Sequence, residues 1–297
     1  MLNYGSLNID YTYRVPHIVV PGETLQSLSL ERNAGGKGAN QSAAAAKAGL
    51  EVFHAGKLGK DGLFLKELLD SYGVDTSFIT VTDGASGNAI IQVDEEGQNS
   101  IVLYAGTNQQ ITSEEIDAAL SAFSRYDLLL LQNEINGIAE LIDKAYDKGM
   151  KIIFNPAPFS PDILSLPLSK VSIFIVNEIE GAGLSGVKGS YEEILEALVS
   201  DYPEAEIILT CGKHGALYGY KDKREKGDII DYPVVDTTGA GDTFIGYYIA
   251  SREMGLSVSA ALEYACKASS IAISRPGAMA AGPSMEEVFT GFARIYD

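Results

Sequence analysis

The sequence predicts an α/β protein with a mostly parallel central sheet, and three observations support this prediction. From about residue 37 onward, segments with helical periodicity alternate with short apolar runs typical of buried strands, such as YDLLLLQ at 126–132 and KIIFN at 151–155. Such alternation places helices on both faces of a parallel sheet. The 297 residues are 46% hydrophobic, which is enough for a large core. No repeat or linker-like run divides the sequence, so we expect a single domain over residues 1–297.

Two segments break this alternation. Residues 8–34 carry short strands around the sequence VPGET, and residues 87–104 alternate as in a hairpin that turns at Glu95–Gln98. We expect these segments to form a small separate sheet that acts as a lid.

Charge and cysteine content exclude several classes of partner. The formal net charge is −18 and no dense run of Lys or Arg occurs, so we expect neither nucleic acid nor an anionic membrane as a partner. Cys211 and Cys266 lie far apart without a neighbouring Cys/His cluster, which predicts neither a disulfide framework nor a zinc site. The sequence begins without a basic segment followed by a long apolar one, and we expect a cytoplasmic protein.

A first glycine-rich stretch, NAGGKGANQ at 33–41, does not fit the common phosphate-binding motifs. A Walker A motif needs Ser or Thr after Gly-Lys, but Gly38 follows Lys37 here, and Gln41 stands where a dinucleotide fingerprint needs its third glycine. The stretch is a glycine-rich turn that carries Lys37 and Asn40 into an alanine-rich helix. These residues are compatible both with a ligand-binding turn and with a tight turn that carries a solvated lysine.

A second stretch, DTTGAGDTFIG at 236–246, predicts an anion site. Gly239 and Gly241 let successive backbone N–H groups point one way, and the following helix adds its N-terminal partial positive charge. Asp242 is either an N-cap of that helix or a catalytic base. A carboxylate beside an anion site is unfavourable unless it acts on a hydroxyl nucleophile or is offset by cations, which favours the base.

Together these two stretches resemble the signatures of the ribokinase family, also called the PfkB carbohydrate kinases. GGKGANQ and DTTGAGDTF stand in the family's order about 200 residues apart, and GSLNID, PGET, AGTN, NPAP, VNEIE and RPGA extend the likeness over essentially the whole chain. The resemblance implies a three-layer α/β domain with a small β-sheet lid. It also implies an ATP-dependent carbohydrate kinase.

The resemblance also implies a set of site residues. The residues implied to hold the sugar are Asn8, Asp10, Gly36, Lys37, Asn40 and Glu134, with Asp242 as the base. The backbone of Gly239, Ala240 and Gly241 is implied to stabilise the phosphoryl group. ATP and its Mg²⁺ are implied to lie near Asn177 and Glu180, with Thr210, Gly212, Gly215 and Gly241 around the nucleotide. Cys266 stands where family members often have a histidine near adenine, and we expect it to be a buried helix residue.

A potassium ion beside the anion site is a further implication. Its implied ligands are the Asp236 carboxylate and the backbone oxygens of Thr238, Ala272, Arg275 and Gly277. The sequence departs from the family pattern at Ala281, where a serine often adds another ligand, and we therefore expect a weakened cation site.

The implied reaction is transfer of the γ-phosphoryl group of Mg-ATP to a primary hydroxyl of a pentose, with D-ribose giving ribose 5-phosphate. Two alternatives stay open: a family kinase for deoxyribose, fructose or a nucleoside, and a non-catalytic sugar-binding protein on this fold. Asn88 replaces a small apolar residue of the family on the lid, and it is a candidate for altered ring recognition. We expect a homodimer formed through the lid strands, because exposed sheet edges invite pairing.

Overall fold

A nine-stranded sheet forms the centre of the structure, a computed structural model that describes residues 1–293. The strands are β1 (Leu2–Tyr4), β2 (Asn8–Arg14), β3 (Ser29–Gly35), β4 (Phe53–Gly59), β5 (Asp75–Thr82), β6 (Gly87–Val93), β7 (Asn99–Tyr104), β8 (Leu128–Gln132), β9 (Lys151–Asn155), β10 (Ile173–Asn177), β11 (Glu206–Thr210), β12 (Ala216–Tyr220) and β13 (Lys223–Gly227). The order in the large sheet is β13-β12-β11-β10-β9-β8-β1-β4-β5. Only β12 and β13 run antiparallel to their neighbours.

Helices cover both faces of this sheet. They are α1 (Lys37–Lys47), α2 (Leu63–Ser71), α3 (Ser113–Ser121), α4 (Ile138–Asp147), α5 (Glu178–Ser185), α6 (Tyr191–Asp201), α7 (Ala240–Glu253), α8 (Val258–Ala272) and α9 (Met285–Ala293). Side chains alternate along each strand, so Leu129 and Leu131 of β8 pack with α3 to α6, whereas Leu128 and Leu130 pack with α7 and α8. Each face thus has its own apolar core.

The strands β3, β2, β6 and β7 form a second, smaller sheet in that order. β2 pairs antiparallel with β3 and parallel with β6, and the β6–β7 hairpin turns at 94–98. The predicted fold class, a large mostly parallel sheet with a small second sheet, is therefore confirmed. The assignment of residues 1–297 to a single domain, with the small sheet as its lid, stays a prediction.

Helices α1 and α7 approach each other unusually closely. A Cβ atom at Gly246 of α7 would lie 2.5 Å from the backbone nitrogen of Ala45 and 2.6 Å from the Cβ of Ala44, so no larger residue fits there without movement. The alanine-rich sequence of α1 presents small side chains to this contact. As a result, Asn40 and Gln41 in the first turns of α1 lie beside Asp242 in the first turn of α7.

Candidate active site

A polar cavity of about 250 Å³ lies at the carboxyl ends of the central parallel strands. Asn155, Asn177 and Thr210, the last residues of β9, β10 and β11, line it. Ligands of open parallel sheets bind at this edge, where the loops after neighbouring strands converge. Lys37 and Asp242 line the same cavity, so the fold joins the two glycine-rich stretches in one site.

Asp242 does not cap helix α7. The N-cap residue is Gly239, with φ 73°, and no side chain caps the helix there. The Asp242 carboxylate instead accepts hydrogen bonds from the side-chain amides of Asn40, at 2.9 Å to Oδ2, and Gln41, at 2.9 Å to Oδ1. The capping interpretation is therefore wrong, and a buried carboxylate is held at the cavity wall by two neutral amides.

The first turn of α7 supplies backbone N–H groups next to this carboxylate. Gly239, Ala240 and Gly241 all line the cavity. The N–H of Ala240 donates to the carbonyl of Thr237 at 3.3 Å, so this amide already has a partner. The first-turn amides that follow it lie where a helix leaves N–H groups without intrahelical acceptors, which suits an anion.

The turn at 35–38 packs tightly and also reaches the cavity. Gly36, with φ 96°, is the N-cap of α1, and a Cβ there would lie 2.9 Å from the Asn8 nitrogen and the Ser6 oxygen. The Lys37 backbone nitrogen donates to Glu134 Oε2 at 3.0 Å. The turn is therefore tight, as one interpretation expected, but its lysine lines the cavity and is only partly exposed, which favours the ligand-binding interpretation over a solvated lysine.

The charges around Lys37 balance one another. Burial opposes its charge, but the carboxylates of Asp242, Glu134 and Glu180 outweigh burial and hold the pKa of Lys37 above its ordinary value. Burial raises the pKa of Glu180, with hydrogen bonds from Asn177 and the charge of Lys37 acting in the opposite direction. Lys37 is thus the cation that offsets the carboxylates at this end of the cavity.

The predicted sugar-binding residues of the small sheet lie near the same end. Asn8 Oδ1 accepts from Asn108 Nδ2 at 2.7 Å. Glu134 Oε2 accepts from the hydroxyl of Ser6. Burial and then the charge of Glu134 raise the pKa of Asp10 to about 7.

Sequence reasoning missed Asn108 and Ser6 as partners of this group. Both stand inside segments that carried the family resemblance, AGTN and GSLNID, so a signal existed. Asn88 was singled out on the lid, but the register of β2 and β6 pairs Asp10 with Ala89 and Ile9 with Asn88. Asn88 therefore lies on the opposite face of the small sheet from Asp10.

The nucleotide-binding candidates divide into two groups. Asn177 is the N-cap of α5 and forms a capping box with Glu180, and both residues line the cavity with Thr210. Gly212 and Gly215 instead belong to a short turn after β11, where a Cβ at Gly215 would lie 1.9 Å from the Gly227 oxygen. Their neighbours Cys211, Lys213 and His214 line a second depression of about 560 Å³.

Cys266 is buried in α8, as predicted.

The predicted cation ligands lie at the end of α8, where Ala272 is the last helical residue, and on the two adjoining segments that carry Asp236 and Gly277. The Asp236 carboxylate accepts from the backbone nitrogens of Thr238 and Gly277, each at 2.9 Å. Although burial alone would raise the pKa of Asp236, these hydrogen bonds hold it below its ordinary value. The backbone oxygen of Ala272 accepts from the nitrogen of Arg275 at 3.0 Å, and the Arg275 side chain pairs with Glu287.

Residues 1–293 contain no group of three or more His, Cys, Asp or Glu side chains that could hold a metal ion. None of the described helices combines the length and apolar character needed to span a membrane. The large parallel sheet with an acid and a lysine beside a helix N-terminus is the arrangement of an α/β enzyme, and its anion site suits phosphoryl transfer.

Comparisons with known proteins give the family. Residues 1–285 match the pfkB family of carbohydrate kinases. A ribokinase of Staphylococcus aureus is 33% identical over 96% of each chain, and a deoxyribokinase of Salmonella typhi is 32% identical over 94% of this chain and 93% of its own. The structure of an Arabidopsis thaliana ribokinase complexed with ribose and ATP superposes with a TM-score of 0.85, at 27% identity and 97% coverage of both chains.

The chain belongs to the PfkB family of carbohydrate kinases. The family match and the relatives confirm the predicted enzyme class and the predicted resemblance over nearly the whole chain. The individual roles of the site residues stay predictions.

The raised pKa of Asp10 predicts a pH-dependent stability effect. Its folded-state pKa of about 7 exceeds the ordinary 3.8, so the ionised acid opposes folding increasingly as the pH rises from about 4 to 7. Asp10→Asn removes this penalty and is expected to raise the free energy of unfolding at pH 8, by no more than about 1.4 kcal/mol for each pKa unit, and to have little effect near pH 4. Urea titrations at both pH values measure this, with the exposed Asp222→Asn as the control. A gain that is equal at both pH values would contradict the assigned pKa.

Proposed function

We propose that this protein is an ATP-dependent ribose kinase that forms ribose 5-phosphate. The observation that carries the proposal is the buried carboxylate of Asp242, held by two neutral amides in a cavity that it shares with Lys37 and the first turn of α7. The ribokinase relatives supply the acceptor, since they resemble this chain over nearly its full length.

In the proposed reaction, Asp242 accepts the proton of the primary hydroxyl of ribose as that oxygen attacks the γ-phosphorus of ATP. A bond forms between the sugar oxygen and the γ-phosphorus, the bond from the γ-phosphorus to the bridging oxygen breaks, and ADP leaves with that electron pair. The first turn of α7, with Gly239, Ala240 and Gly241, stabilises the charge on the phosphoryl group through its N-terminal dipole and the Gly241 N–H, because the Ala240 N–H already donates to Thr237. Lys37 offsets the negative charge that gathers around it.

The proposed sugar site consists of Asn8, Asp10, Gly36, Lys37, Asn40 and Glu134. A polyhydroxylated ring needs both donors and acceptors, because an unpaired buried polar group costs about 1–3 kcal/mol. Asn40 Oδ1 is a buried acceptor that has no hydrogen-bond partner within residues 1–293, which fits a sugar hydroxyl as its donor. The small sheet acts as the lid that keeps water from the phosphoryl group.

The proposed nucleotide site lies on the other side of Asp242. Asn177 and Glu180 would hold the water shell of Mg²⁺ near the triphosphate, and Thr210, Gly212, Gly215 and Gly241 would surround the nucleotide. Mg²⁺ retains several waters and binds through few carboxylates, so one buried acid with an amide beside it is a suitable partner. When bound, this ion neutralises charge on the phosphates.

A potassium site is proposed beside the anion site. Asp236 and the carbonyls of Thr238, Ala272, Arg275 and Gly277 would hold the ion, since one carboxylate and several carbonyls suit a large hard cation. The two Asp236 oxygens each accept one N–H, which leaves lone pairs for an ion. Its charge would stiffen the loop that presents the first turn of α7.

Deoxyribose is the second candidate acceptor, because the Salmonella deoxyribokinase is nearly as similar to this chain as the ribokinase is. A panel of ribose, deoxyribose, fructose and a nucleoside, each with Mg-ATP, separates the candidates by ADP release. We expect the highest kcat/KM with ribose, and phosphorus NMR of the product should give a phosphate on the primary carbon. Turnover that is fastest with deoxyribose would move the assignment to that sugar, and no acceptor-dependent turnover would refute the kinase.

The role of Asp242 is tested by Asp242→Asn. Asparagine keeps the size of the side chain but cannot take the proton, so we expect kcat to fall by about 10²–10⁴-fold. The thermal midpoint should stay close to that of the wild type, and Asp222→Asn, at an exposed position, should keep full activity. Near-normal sugar phosphorylation by a folded Asp242→Asn variant would rule out the assignment.

Potassium dependence is the third expectation. Initial rates at saturating ribose and Mg-ATP should rise as potassium replaces tetramethylammonium at constant ionic strength. Ala281 is buried and offers no hydroxyl, so Ala281→Ser should shift half-activation to lower potassium. A flat titration of cation-stripped enzyme would show that these loops bind no activating ion.

The protein is proposed to act in the cytoplasm.

Dimerisation through the small sheet is also proposed. Leu30, Val102, Leu103 and Tyr104 of β3 and β7 are more than half exposed, which is a large apolar surface for one sheet. Sedimentation at micromolar protein should give a dimer, and Val102→Asp should give a monomer. Leu164→Asp, at a similarly exposed position outside the small sheet, should leave the dimer intact. A monomeric wild type would reject this interface.

A further inference from the structure

Gln41 is a fully buried residue of the first glycine-rich stretch to which the proposed function gives no role. Its Nε2 donates to Asp242 Oδ1 at 2.9 Å and to Asn155 Oδ1 at 3.1 Å, and its Oε1 accepts from Gln132 Nε2 at 2.7 Å. Both amide hydrogens and the oxygen of Gln41 are therefore engaged. The amide is fixed in one orientation, because the exchange of its N and O atoms would set oxygen against two acceptors.

A chain of buried polar groups supports that orientation. Gln132 Nε2 also donates to Asn3 Oδ1 at 3.0 Å, Asn3 Nδ2 donates to Ser42 Oγ at 2.8 Å, and Ser42 Oγ lies 2.8 Å from His54 Nδ1. Burial lowers the pKa of His54 to about 4, so the far end of the chain is neutral near pH 7. The branch of the network that runs from Gln41 through Gln132 to His54 is therefore neutral, whereas Asn155 on the other branch also donates to Glu180 Oε2 at 3.3 Å.

We propose that Gln41 is a positioning residue that fixes the orientation of the Asp242 carboxylate. Gln41 holds Oδ1 by a buried hydrogen bond, and Oδ2 faces the cavity, where it accepts the proton of the sugar hydroxyl. This inference rests on the proposed role of Asp242 as the base.

The contacts of the two carboxylate oxygens support this division. The hydrogen bond from Gln41 to Oδ1 is buried, whereas the one from Asn40 to Oδ2 is only partly buried and comes from a residue of the proposed sugar site. The close α1–α7 contact at Gly246 fixes the distance between the backbones that carry Gln41 and Asp242. A reacting group displaced by about 1 Å loses about 10²-fold in rate, so such fixation matters for turnover.

The first test is Gln41→Met, which keeps the length of the side chain and removes its hydrogen bonds. We expect kcat to fall by about 10–100-fold, while KM for ribose and for ATP changes by less than about threefold. Ser251→Ala is the matched control, since Ser251 lies on α7, is equally buried, and its hydroxyl has no hydrogen-bond partner within the described residues. It should keep the wild-type kcat.

The second test is the pH profile of Gln41→Glu, which keeps the shape but places an acid against Asp242. The charged groups near Asp242 in the wild type are Lys37 and Glu180, and Glu134 is a further acid whose charge acts on Lys37. A second carboxylate in contact with Asp242 raises the apparent pKa of the pair, so the acidic limb of kcat should move to higher pH by more than about one unit. A purely structural role of Gln41 would lower stability without moving this limb.

The outcomes separate the positioning role from the proposed function. Full activity of Asp242→Asn refutes the base itself. The positioning role alone is overturned if Asp242→Asn loses activity while Gln41→Met keeps the wild-type kcat and Gln41→Glu keeps the wild-type pH profile. If Gln41→Met does not fold, the reversible pH profile of Gln41→Glu decides, and failure of both variants to fold would assign Gln41 to the core and overturn the proposal.

Discussion

The close contact between α1 and α7 is the constraint on which the site depends. Two helices far apart in the sequence meet where one offers Gly246 and the other Ala44 and Ala45, so their backbones nearly touch. Dispersion and burial hold this contact, and no polar group is needed at the crossing. The polar residues one turn away, Gln41 and Asp242, are thereby brought within hydrogen-bonding distance. Apolar packing thus sets the geometry of the charged group.

Charge balance is the second organising feature. The chain carries a formal charge of −18, and several acids lie around Lys37 at the cavity. Burial raises the pKa values of Asp10 and Glu180. Such a cavity is poised for cations and for hydroxyl groups that donate to carboxylates. An anionic substrate enters it favourably only at the N-terminus of α7, where backbone N–H groups supply the compensating dipole.

The sequence predicted those parts of the structure that depend on local backbone chemistry. Glycines at 36 and 239 have positive φ and sit at helix starts, so both turns were visible as motifs. The partners of each side chain depend on tertiary packing and were not visible, which is why the sequence favoured the base role of Asp242 without excluding a cap. Asn88 shows the same limit, because a shift of one residue in strand register moves a side chain to the other face of the sheet.

The capping box of α5 gives one carboxylate two duties. Glu180 closes the first turn of its helix through the Asn177 nitrogen and also borders the cavity. Under the proposed function, natural selection filters replacements at this position twice, once through folding and once through turnover. Glu178, two residues earlier and outside the cavity lining, escapes the second filter. Conservation of glutamate at position 180 would therefore not show by itself whether folding or turnover requires it. Measuring both the amount of folded protein and the rate of turnover for each variant would separate the two causes.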